Sequence, residues 1–66
     1  IYPNPAHHVV NVISNATNTH LEVYNIVGEK ISDTIFDREV SINTSNYNKG
    51  VYLLRIGSVT KKLIVN

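Results

Sequence analysis

Residues 49–56, Lys-Gly-Val-Tyr-Leu-Leu-Arg-Ile, constrain the fold most. Successive side chains of a strand point to opposite faces, so Tyr52, Leu54 and Ile56 share one side while Val51, Leu53 and Arg55 share the other. One face is wholly apolar and the other carries a single charge, which suits a central strand of a two-layer sheet. Elsewhere no apolar period of about 3.6 residues persists, so helix is limited to one turn near residues 45–48.

Ahead of that strand, residues 43–50 form a polar segment. Its Ser, Thr and Asn side chains bond nearby backbone, which favours turns over ladders. Gly50 closes it, and a glycine at positive φ lets the chain swing sharply into the strand. Tyr47 is the only large apolar body in the segment and is expected to plug the turn against the core.

The rest of the chain alternates in the same way. Residues 1–6 hold Pro3 and Pro5, which fix φ and remove two donors, so they predict an extended segment or edge strand. Residues 8–14 form a strand with Val10 and Val12 inward. Residues 20–25 turn Leu21 and Val23 inward and Glu22 and Tyr24 outward, then reach a turn at Gly28. Strands 30–36 and 39–43 follow, joined by Asp37-Arg38, with Val40 and Ile42 pointing together. Gly57-Ser58 predicts a type II′ hairpin, and the last strand, 59–65, has two candidate core sides, Leu63 and Val65 with Lys61 or Ile64 with Lys62, of which the first is favoured. Turn signals every eight to twelve residues or so mark an all-β chain, an antiparallel immunoglobulin-like β-sandwich of about seven short strands, with a small barrel as the alternative.

Composition supports this and narrows the function. Val, Ile and Thr supply 22 of the 66 residues, against six for Leu and Ala together, a strongly β balance. The length predicts one domain, residues 1–66, near the size at which folding buries only about 60 % of the unfolded surface. There is no cysteine, so sheet packing has to hold the fold without disulfides. Six basic and five acidic residues leave a formal charge of +1; they are scattered, with no basic stripe for nucleic acid. No apolar run approaches the roughly 20 residues that span a bilayer. A start at Ile1 and the lack of methionine lead us to expect a module of a longer chain.

The residues offer little chemistry. His7, His8 and His20 are the only imidazoles; His7 and His8 are adjacent, would face opposite sides of a strand, and have no cysteine beside them. No metal, cofactor or small-molecule substrate is expected. Glu22, Glu29, Asp33, Asp37 and Glu39 are spread over turns and outward positions and read as solvation. No serine sits in a nucleophile elbow or glycine-rich loop, so the chain is not expected to be an enzyme. Asn15-Ala-Thr17 and Asn43-Thr-Ser45 match the glycosylation acceptor pattern, but nine asparagines and ten Ser/Thr make chance matches common. Lys61-Lys62 reads as a charged guard on an apolar strand.

Four stretches together carry a resemblance: Tyr-Pro-Asn-Pro-Ala at 2–6, Leu-Glu-Val-Tyr-Asn-Ile-Val-Gly at 21–28, Ile42 through Gly50-Val51-Tyr52, and Lys-Lys-Leu-Ile-Val-Asn at 61–66. In this order and spacing the chain resembles, over its whole length, the C-terminal sorting domain of the type IX (Por) secretion system of Bacteroidetes. The resemblance implies an immunoglobulin-like fold and a non-catalytic signal. Such a signal directs a passenger from the periplasm across the outer membrane to the cell surface or the medium, and a sortase-like peptidase then removes it. The implied partners are the outer-membrane translocon, its shuttle protein and that peptidase. The family motif falls on Pro3, Asn4, Pro5, Gly28, Gly50, Val51, Tyr52, Lys61 and Lys62. Two departures stand out: Gly57-Ser58 is a short connection, and Tyr47 stands where leucine is commoner. The alternative is an immunoglobulin-like accessory module for adhesion or carbohydrate binding, which needs an exposed aromatic platform such as Tyr24. A far-UV circular dichroism spectrum tests the fold class: a single β-type minimum is expected, and paired helical minima would contradict it.

Overall fold

The computed structural model describes residues 8–66. Six strands follow in order: β1 (Val9–Ile13), β2 (Thr19–Tyr24), β3 (Lys30–Phe36), β4 (Glu39–Asn43), β5 (Gly50–Ile56) and β6 (Val59–Val65). All ladders are antiparallel. They form a two-stranded sheet, β1-β4, and a four-stranded sheet in the order β3-β2-β5-β6. The result is an all-β, sandwich-like chain consistent with the immunoglobulin-like expectation. The seventh strand of the sequence reading is the opening segment 1–6, which lies outside the described residues.

Alternation determines what each strand buries. Val10 and Val12 of β1 face Leu21 and Val23 of β2, Tyr52 and Leu54 of β5, and Leu63 and Val65 of β6 across one apolar layer, closed at one end by Phe36. Val40, Ile42, Tyr47 and Ile56 pack against this layer while half-exposed. The strand intervals match the expected ones to within about a residue at each end. The expected helical turn near 45–48 is instead a hydrogen-bonded turn, in which Tyr47 N donates to Thr44 O at 2.9 Å. Two polar side chains there, Asn43 and Ser45, bond locally and do not propagate a helix, while the Thr44 hydroxyl between them is buried without a hydrogen-bond partner. The Asn43 carboxamide oxygen, for example, accepts from Ser45 N and Ser45 Oγ.

Two of the five connections are hairpins and three cross between sheets. Gly57 has φ +60 while Ser58 is not among the positive-φ residues, the signature of type II′ and not type I′. The shortest crossing is Asp37-Arg38, where β3 leaves one sheet and β4 begins the other. Arg38 takes φ +67 to make this corner. Its backbone donates to Ala16 O at 3.2 Å and accepts from Ser14 N at 2.7 Å, and Asp37 Oδ1 accepts from Asn18 N at 2.7 Å. The two crossings at this end are therefore bonded to each other.

Leu54 is fully buried, whereas its neighbour Leu53 lies on the outer face. Leu54→Ala should cost about 2–5 kcal/mol, the range for a cavity in a packed core, and Leu53→Ala less than about 1 kcal/mol. Urea unfolding checks this, and equal losses would contradict the assigned facing.

Candidate functional site

The β5–β6 hairpin turns two separate motif stretches into cross-strand neighbours. Gly50 pairs with Val65, Val51 with Ile64, Tyr52 with Leu63, Leu53 with Lys62 and Leu54 with Lys61. Tyr52 is buried; its hydroxyl donates to Asn48 O at 2.8 Å, and its ring lies 5.1 Å from that of Tyr47 at a 38° tilt. The two rings thus fasten the 44–49 loop to the core, as the plug reading expects. Burial pushes the Tyr47 phenol up, with Tyr52 adding to it. Gly50 has φ +147, and a Cβ there would meet nothing within 4 Å, so a larger residue is opposed by backbone strain and not by a clash.

Gly28, at φ +91, closes the β2–β3 turn. The Asn25 side chain holds that turn: its oxygen accepts from Val27 N at 3.1 Å and Glu29 N at 2.9 Å, and its nitrogen donates to Glu29 Oε1 at 2.8 Å. The tip presents Ile26 and Val27, 77 % and 76 % exposed. Tyr24 pairs with Leu53 and Val9 with Asn43, so the Gly28 turn, Gly50, the 44–49 loop and the end of β6 lie at one end of the sandwich. Lys61 and Lys62 lie further along β6, opposite Leu54 and Leu53 respectively, and therefore on opposite faces, so they do not make one basic patch. Pro3, Asn4, Pro5 and His7 lie outside the described residues.

A second group sits on the outer face of the four-stranded sheet. Lys30 Nζ lies 3.2 Å from Glu22 Oε2 and 3.0 Å from Asp33 Oδ2. His20 Nε2 contacts Asp33 Oδ1, and Tyr24 OH donates to Glu22 Oε2 at 2.8 Å. The Tyr24 hydroxyl and Lys30 hold the Glu22 carboxyl below its usual range. Lys30 and His20 do the same for Asp33, and Asp33 and Glu22 raise Lys30. The Glu22 hydrogen bond in turn pushes the Tyr24 phenol up. The sequence reading dispersed these carboxylates, because only the β2–β3 register brings residues 22 and 33 together. The apolar tip Ile26-Val27 was likewise read only as part of a turn.

Compared with known protein families, the chain matches the secretion system C-terminal sorting domain over residues 1–66. No curated protein and no solved structure gives a significant match.

The ion-pair group has a definite pH signature. Depressed carboxylates bind fewer protons folded than unfolded, so their stabilisation is present above about pH 4.5 and lost as pH falls through the lowered folded values. The raised Lys30 contributes below its ordinary pKa and loses that contribution as pH rises through the folded one. Urea unfolding from pH 7 to 2 should therefore show an acid loss that the Glu22→Gln, Asp33→Asn double variant flattens. Asp33 and Lys30 are exposed and Glu22 only half-buried, so the effect is modest and shrinks in about 1 M salt; an unchanged acid limb in the variant would contradict the assignment.

Proposed function

The chain belongs to the secretion system C-terminal sorting domain family, and from that membership we propose that it is the non-catalytic signal by which a longer secreted protein crosses the outer membrane through the type IX system. In this reading the passenger waits in the periplasm, and the domain is engaged by the translocon and its shuttle protein. A sortase-like peptidase then cuts upstream of Pro3-Asn4-Pro5, and the passenger ends at the cell surface or in the medium. The observation that carries the reading is the match over residues 1–66.

The geometry supports it. Gly28, Gly50, Val51 and Tyr52 are gathered towards one end of a small sandwich by strand register alone, giving a fixed shape a receptor can read. The accessory-module alternative lacks its platform among the described residues: Tyr24 is half-buried with its hydroxyl on Glu22, Tyr47 and Tyr52 pack on each other, and Phe36 is buried.

Gly50→Val adds strain on the order of 1–3 kcal/mol, a large share of a marginal domain's stability. Deleting residues 61–66 removes most of the strand that pairs with β5. The domain should be fused behind a reporter in a type IX-competent bacterium, and surface and periplasmic fractions compared. Export of the intact fusion, with retention of both variants in the periplasm, is expected. Retention of the intact fusion, while a known family member exports the same reporter, would contradict the function.

A further inference from the structure

The outer face of the four-stranded sheet carries three donors of the kind that hold a transition-metal ion. His20 and Glu22 are two residues apart on β2 and share a face, and Asp33 of β3 is the direct cross-strand partner of Glu22. One imidazole nitrogen and one oxygen from each carboxylate lie within 4.8 Å of one another. The space between the carboxylates already takes a cation, since the Lys30 ammonium reaches both. We propose that His20, Glu22 and Asp33 form a zinc site on the sheet surface, with water in the fourth position and Lys30 as a built-in competitor that swings aside.

The donor set selects the metal. One imidazole and two carboxylates suit a tetrahedral ion with an open position, whereas calcium asks for six or more oxygens and magnesium for an octahedral, mostly aqueous shell. Zinc ligands at about 2.0–2.2 Å sit some 3.4 Å apart, so the His20–Asp33 contact has to open to admit the ion; His20 and Asp33 are exposed and Glu22 is half-buried. The ion would also supply what the chain lacks. Strand β3 ends the order β3-β2-β5-β6, and of its inward residues Ser32, Thr34 and Phe36 only Phe36 is buried. With no cysteine in the chain, a metal bridging β2 and β3 is a staple of the kind small domains use.

The test is thermal unfolding of the whole 66-residue chain with zinc chloride or magnesium chloride. A ligand that binds only the folded state raises Tm by mass action. Zinc in excess should raise Tm by about 5 °C, magnesium should not, His20→Gln should abolish the rise, and Lys30→Gln should give it at roughly tenfold lower zinc, about one RT ln 10 of removed competition. In proton NMR, zinc should move the His20 ring signals ahead of those of His8. No zinc-induced rise in the intact chain, an equal rise with magnesium, or an equal rise in His20→Gln would overturn the proposal.

Discussion

One apolar layer between a two-stranded and a four-stranded sheet holds this chain together. Val10 and Val12 form one side of it, and Leu21, Val23, Leu54, Leu63 and Val65 form the other. A layer this thin offers no second core, and no disulfide stands behind it. Each buried branched side chain contributes roughly 1.5–3 kcal/mol relative to exposure, so losing one is a large fraction of the total stability expected of a domain this size. The loops are accordingly tied down: Ser14, Ala16 and Asn18 bond to the Asp37-Arg38 corner, and Thr19 bonds back to Ser14 and Ala16.

The same layer positions Tyr52 and, through it, the Gly50 end of the proposed motif. Tyr52 belongs both to the core and to the motif, and through Asn48 and Tyr47 it sets the loop that delivers the chain to Gly50. The end of the sandwich that gathers Gly28 and Gly50 is thus an extension of the packing. A disturbance in the core reaches that end without touching a surface residue.

Local alternation made the inward set legible in the sequence. Val10, Val12, Leu21, Val23, Leu63 and Val65 were placed on core sides and are buried, and the wholly apolar side of residues 49–56 buries Tyr52 and Leu54 with Ile56 half-exposed, because a period of two leaves little freedom once a strand is recognised. Gly50 and Gly57 were legible because positive φ at a turn calls for glycine. Pairing was not legible: β1 joins β4 across 30 residues of separation, Asn11 to Ser41, and nothing local records that. Nor does composition show that Asp37-Arg38 changes sheets, since Arg38 reaches positive φ without being glycine. The grouping of His20, Glu22 and Asp33 failed for the same reason, because it exists only through the register of β2 on β3. Pro3, Asn4 and Pro5 rest on the resemblance and the family match alone.

The central claim is that a folded shape, and not a linear peptide, carries the sorting information. The most direct measurement is the surface fraction of a reporter fused to the domain bearing either Leu54→Ala or Leu53→Ala, with folding of each isolated domain followed by circular dichroism. These adjacent residues differ mainly in which face they occupy. If the shape is read, Leu53→Ala exports like the intact domain and Leu54→Ala leaves the reporter in the periplasm. Undiminished export by a Leu54→Ala domain that is unfolded in isolation would contradict the claim.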